Sequence, residues 1–348
     1  MRLKIFNFFQ PLVAVALGLS LGMILAMIAG ENPLFVMQVL GKSAFGSAYD
    51  FGMTLFYSTP LLFTGLSVSM AFSAGLFNIG AEGQLTMGAL FCAIVGIVCH
   101  DLPSVLAIAL SIFAAFMGGA IWGLIPGILR AKRGGHEVIT TVMLNFVAAG
   151  LASYATLYLF RNTSTQNPET LPIGPGHVLS QWEIFAGAPL GGALLVALFC
   201  ALLLWFVFAK TKYGYELMST GENLFAAKVG GISVPKMYMS SMFFAGGLAG
   251  LVGVCEVMGN AERFRLGFSP GYGFIGIAVA LLARGKPIGV IFSALLFGAL
   301  HKGTADLDFE TQHITRDLSQ ALQALVILSV SAEGWWDYLR KKILRNKS

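Results

Sequence analysis

The chain has 348 residues, 56% of them hydrophobic and only 11% charged, with a mean hydropathy of +0.77. Soluble domains carry about 25% charge, so this composition excludes an ordinary soluble enzyme and describes a polytopic, all-α membrane protein. The net charge of +5 comes mostly from basic loops and the tail Arg340–Lys347, which suits an anionic inner leaflet and gives no reason to expect nucleic acid as a partner.

Taken in chain order, apolar runs predict spans at 11–29, 54–72, 85–100, 104–129, 138–160, 189–209, 238–257, 272–283, 288–301 and 317–333, ten in all. About 20 apolar residues cross a bilayer. The runs 272–283 and 288–301 are shorter and flank Arg284-Gly285-Lys286-Pro287. No small-residue cleavage site follows 11–29, so it reads as a span and not as a signal peptide. With the N-terminus in the cytoplasm, 16 Lys and Arg fall inside and 6 outside, which fits the positive-inside rule and puts both termini in the cytoplasm. Trp335 and Trp336 then read as an anchor at the inner interface. The whole chain, 1–348, is expected to be one transmembrane domain. It has an extracytoplasmic loop at 161–188, a cytoplasmic loop at 210–237, and no room for a nucleotide-binding domain of its own.

The segment Gly75-Leu-Phe-Asn78-Ile-Gly80-Ala-Glu82-Gly83-Gln84 interrupts two apolar runs. Unpaired polar groups in hydrocarbon cost several kcal/mol each, so a break at membrane depth is tolerated only where it is buried in protein or lines a cavity. A short loop on one membrane face is the other reading. Farther on, His136-Glu137 opens a span in which Asn145 lies two turns deep and needs a partner or a cavity. Gly119, Gly123 and Gly127, and Gly246 and Gly250, recur at four-residue spacing and predict close helix packing within the chain. The break at Gly75–Gln84 and the turn at Arg284–Gly289 hint at an internal duplication.

The loop 210–237 has its own logic. Asn223 is placed to cap a short helix over Leu224–Val229, Gly230-Gly231 end it, and Pro235 prevents continuation. Small Ala226 and Ala227 are expected to be exposed there, as a docking knob. Gly271-Tyr-Gly273-Phe-Ile-Gly276 matches a dinucleotide pattern but opens an apolar helix after Ser269-Pro270, so its glycines predict packing and not a cofactor. Cys92, Cys99, Cys200 and Cys255 give neither a disulfide frame nor a zinc spacing. His100, His136, His177, His301 and His313 are scattered near span ends and loops and read as solvated or interfacial. No catalytic constellation emerges.

Four motifs, Gly75–Gln84, His136–Asn145, Gly221–Ile232 and Gly271–Arg284, together resemble the permease subunits of bacterial ATP-binding-cassette importers. They look closest to the branched-chain amino acid/ribose superfamily, and within it to the simple-sugar and nucleoside permeases served by basic-membrane-protein-type lipoproteins. The resemblance implies a type II-like importer fold in the bacterial inner membrane. It implies a separate cassette ATPase carrying ATP and Mg, a second homologous permease, and a binding lipoprotein or periplasmic protein that delivers the solute. This chain itself would hold no cofactor or metal. The 210–237 loop would dock the ATPase through Gly221, Glu222, Asn223, Ala226, Ala227 and Gly230. Asn78, Glu82, Gln84 and Asn145 are the candidates for the solute path, since amides meet sugar hydroxyls and base edges with paired donors and acceptors. A branched-chain amino acid would want a fixed cation or a helix N-terminus, and no basic residue stands mid-span. A stand-alone ion-coupled carrier would need buried ionisable groups, for which only Glu82, Glu137 and Glu256 are candidates.

Overall fold

A computed structural model describes residues 2–332, and the side chains of 13–332 except residue 316. The expected anchor Trp335-Trp336 and the basic tail lie outside the described residues. The described chain is helical, with only three isolated β-bridges. Its helices are α1 (Arg2–Ile28), α2 (Pro33–Phe45), α3 (Ala48–Ser73), α4 (Ala81–Val98), α5 (Ser104–Arg133), α6 (Glu137–Tyr154), α7 (Gly192–Lys210), α8 (Lys212–Glu222), α9 (Leu224–Val229), α10 (Val234–Gly250), α11 (Tyr272–Leu282), α12 (Pro287–Glu310) and α13 (Arg316–Ser331). Two π-helical stretches follow α6 and α10, at Ala155–Leu159 and Val254–Ala261.

The ten expected runs fall on helices where they are described, but among the described residues seven helices are long and apolar enough to cross a membrane. Tyr272–Leu282 and Asp317–Ser331 fall short of that length, and Val13–Ile28 is the part of the 27-residue α1 whose side chains are described. The run 288–301, expected to be short, belongs to the 24-residue α12. Lys302, expected in an outer loop, is buried within that helix, paired with Asp306 and lying 3.7 Å from Asp50. The ion pairs let the helix continue past a cation.

The chain forms two compact units, 1–54 with 299–348 and 55–298. In the first, α1 and α13 approach closely: a Cβ at Gly18 would lie 2.6 Å from the Val326 Cα. Residues 33–45, between the first two expected spans, fold as α2 because Asn32 accepts from Leu34 N at 2.9 Å and Pro33 is preset for the first turn. Val36, Val39 and Leu40 of α2 pack with Ala26, Leu307, Ile314 and Leu322. Glu31 accepts from the backbone of Gln312 and His313 at 2.8 and 2.9 Å.

The second unit is built on a glycine seam. Gly119 and Gly123 of α5 meet Gly246 and Gly250 of α10 backbone to backbone, and Gly88 of α4 meets Gly250. A Cβ at Gly250 would lie 3.0 Å from the Gly119 Cα. The spaced glycines therefore serve packing inside the chain, as their spacing predicts.

Residues 161–191 are stitched down along their length. Ile173 N donates to Glu262 O at 2.8 Å and Leu179 N to Met258 O at 2.9 Å. His177, expected to be solvated or interfacial, is instead fully buried, bonded to Ser111 Oγ at 2.7 Å and the Cys99 carbonyl at 2.9 Å. Glu169 is buried against Arg263 at 2.9 Å and Arg265 at 3.5 Å.

Candidate functional site

The candidate site is the break between α3 and α4. α3 closes in a Schellman turn, with Leu76 N donating to Ala71 O at 3.0 Å and Gly75 N to Phe72 O at 2.9 Å. Gly75 has φ 72°, a conformation glycine adopts without a Cβ penalty. A Cβ there would lie 3.2 Å from the Gly221 Cα, at the end of α8. The chain then runs without helix from Ala74 to Gly80, and α4 begins at Ala81. Gly83, in the first turn of α4, meets Asn145, eight residues into α6. At 1.5 Å per residue that is about 12 Å from the start of α6. The end of the unit where α6 begins is tied by Arg130 of α5, whose Nε lies 3.4 Å from Glu137 and whose guanidinium lies over the Tyr238 ring of α10. The break therefore climbs from the α8 end into the interior. It is not a surface loop.

Every predicted path residue has a definite place. Asn78 and Gln84, 0% and 1% exposed, form a reciprocal amide pair: Asn78 Nδ2 donates to Gln84 Oε1 at 2.8 Å, and Gln84 Nε2 donates to Asn78 Oδ1 at 3.0 Å. Asn78 also accepts from Gly80 N at 3.1 Å and donates to Ser67 Oγ at 3.3 Å. Asn145 is the partner α4 lacks. Its Oδ1 accepts from Gly83 N at 2.8 Å, filling one of the unsatisfied donors of a helix start, and its Nδ2 donates to the Ile79 carbonyl at 3.0 Å. Glu82 reaches across and accepts from Gly273 N, in the first turn of α11, at 2.8 Å. Ser269 caps the same turn, accepting from Gly271 N and Tyr272 N at 3.2 and 3.0 Å.

The starts of α4 and α11 thus meet. A Cβ at Gly273 would lie 2.7 Å from the Glu82 Cα. Two positive dipole ends converge, and one carboxylate stands between them to compensate. Gly273 and Gly276 are small for contact, Gly276 against Thr64 and Gly273 against Glu82, as the rejected dinucleotide pattern implied. Sequence reasoning missed Ser67, Ser269 and Gly273 as partners of the break. Only the Ser269-Pro270 signal before α11 was visible.

The short helix expected within 210–237 is present as α9. Asn223 Oδ1 accepts from Phe225 N at 3.0 Å and Ala226 N at 3.1 Å, and Gly230 ends α9 with its N–H on Ala226 O at 2.9 Å. Gly221, Glu222, Asn223, Ala226 and Gly230 are exposed. Ala227 is corrected: it is 2% exposed and faces the protein, because α9 packs back against α8 and α10. The apolar side chains that stand out are Phe225 at 81% and Val229 at 91% exposure. Gly221 also carries the close approach to Gly75, so the α8–α9 corner leans on the foot of the break.

Spanning helices around an interior break, with a short helix pair projecting beside it, describe a transport subunit. The chain belongs to the family described as branched-chain amino acid transport system / permease component, which it matches over residues 51–331. It is a membrane permease subunit of an ATP-binding-cassette importer, a transport component and not an enzyme. It is 35% identical over 331 residues to the guanosine ABC transporter permease protein NupP of Bacillus subtilis, covering 92% of each chain. It is 34% identical to the glucose ABC transporter permease protein TsgB13 of Haloferax volcanii, covering 91% of this chain and 85% of that one. It is 29% identical over 250 residues to the guanosine ABC transporter permease protein NupQ of Bacillus subtilis, covering 70% of this chain and 78% of that one. No solved structure matches the chain.

Proposed function

We propose that this permease moves a nucleoside or a simple sugar, delivered by a binding lipoprotein or periplasmic protein, through the bacterial inner membrane. The observation that carries the reading is the similarity, over more than nine tenths of the chain, to permeases named for guanosine and glucose transport, 35% and 34% identical. The chemistry of the break agrees with it. Its polar groups are the amides Asn78, Gln84 and Asn145 and the carboxylate Glu82, with no cation to hold a carboxylate solute. Asn78, Glu82, Gln84 and Asn145 would form the wall of the path and hold its shape. When the path opens, the amide pair exposes donors and acceptors suited to hydroxyls and base edges.

A second, related permease completes the assembly. Similarity to both NupP and NupQ, two guanosine permeases of one organism, supports a heterodimer. A cassette ATPase carrying ATP and Mg would dock on α9, through the exposed face from Phe225 to Val229 and the Gly221–Asn223 corner. Its closure would push Gly221 against Gly75 and bias the break between outward- and inward-facing states. The basic bias of the loops supports a cytoplasmic position for both termini. The test is uptake of labelled guanosine and glucose by cells with and without the intact gene. Loss of either uptake on deletion, restored by the gene, is the expected result; uptake of both unchanged by deletion would remove the reading.

A further inference from the structure

A polar cavity of about 120 Å³ lies at the π-helical end of α10. Glu256, Asn260, Arg263, Arg265 and Phe268 line it. The π turn is what shapes it. Glu256 and Asn260, four residues apart, fall on one face there, and Asn260 Nδ2 donates to Glu256 Oε2 at 3.2 Å. π-helical turns inside helices occur often at functional sites. Arg263 uses Nη1 on Glu169, but its Nε is buried with no hydrogen-bond partner. At about 30 Å³ per water, the space takes some four waters or one small ring.

Hydrogen bonds at the start of α11 link the wall of the cavity to the break. The Tyr272 hydroxyl donates to Glu256, and the next residue, Gly273, donates its N–H to Glu82 at 2.8 Å. One side of the start of α11 therefore faces the cavity and the other faces α4. Two guanidiniums, Arg263 and Arg265, and one carboxylate, Glu256, line the cavity, and Glu169, outside the lining, pairs with both guanidiniums. An anionic solute gains no surplus cation there. A carboxylate acceptor, an amide, a spare N–H and an aromatic ring suit a neutral polyhydroxylated ring.

We propose that this cavity is a binding subsite of the permease itself, holding the sugar ring of the solute just before it reaches the break. The proposal deepens the nucleoside or sugar reading and rests on it. Phe268 would pack on the ring face, Glu256 would accept from ring hydroxyls, and Arg263 Nε would donate to a ring oxygen.

The test uses the complete importer in proteoliposomes, with labelled guanosine and labelled glucose as probes. Glu256→Gln keeps the side chain's size and removes its charge. Half-saturation for the transported probe is expected to rise about tenfold or more, the effect of losing one charged hydrogen bond, while maximal rate and assembly stay near wild type. A second readout keeps the outcome independent of that variant. A cysteine placed by Ala261→Cys is expected to react with an impermeant maleimide, and the probe is expected to protect it. If wild type moves neither probe, the nucleoside or sugar reading falls and the subsite falls with it. If wild type moves one, yet Glu256→Gln keeps its half-saturation or the cysteine is unprotected, the subsite falls alone.

Discussion

Asn145 does with one amide what a buried helix start requires. It fills the Gly83 N–H and the Ile79 carbonyl together. Asn145→Ala leaves both without partners, at about 1–3 kcal/mol each. The expected result is a purified protein that unfolds several degrees earlier in detergent and transports poorly; a thermal midpoint unchanged from wild type would refute the capping role. Glu169 is a second residue whose setting makes a prediction. Burial alone pushes its carboxyl up. Hydrogen bonds from Thr165 and Arg263 and the charges of Arg263 and Arg265 outweigh that and hold it below the usual carboxylate range. A depressed folded value means its contribution is present above the unfolded value, near 4.3, and is lost as pH falls through the folded one. Fluorescence of Trp182, as the single retained tryptophan, should therefore report loosening of the 161–191 segment only in strong acid. In Glu169→Gln that acid step should vanish. A step of equal size in the variant would assign it to another group.

At the scale of elements, α9 and the glycine seam carry the clearest expectations. Phe225 and Val229 stand out from α9 while Ala227 faces in. Val229→Glu should lower uptake at least tenfold yet leave folding and membrane insertion intact, an effect of about 1.4 kcal/mol or more on docking. Normal uptake in that variant would remove α9 as the ATPase contact. Ala227→Trp is a different experiment, since it overfills a buried position and should cut the folded yield. In the seam, Gly250→Leu forces side-chain atoms into the α5 backbone. Overpacking of this kind costs about 1–3 kcal/mol or more, and size-exclusion profiles of the variant should show aggregated protein.

These elements also show what a sequence reveals of such a protein. α9 was legible to the residue because its cap, length and terminator are all local. The seam was legible because spacing alone puts glycines on one helix face. Which side of α9 faces the protein was not legible, since a six-residue helix has too few positions for a periodic stripe. His177 and Glu169 were not legible either. Their partners Ser111, Cys99 and Arg263 lie 66, 78 and 94 residues away. The break was visible, but its depth came only from Asn145, whose partner Gly83 is 62 residues back.

For the molecule as a whole, the line of contacts runs from α9 through Gly221 and Gly75 to the break, and from Glu82 through Gly273 to α11. Under the proposed function, that line would give a cassette ATPase a handle on an interior break. The account therefore requires partners. The most direct measurement is a mild-detergent affinity purification of the tagged chain from its native membrane, with mass spectrometry of what co-purifies. A cassette ATPase and a second permease in near-equal amounts, both lost on Val229→Glu or at least the ATPase lost, is the predicted result. A chain that purifies without an ATPase and still moves solute down an ion gradient in vesicles would contradict the account.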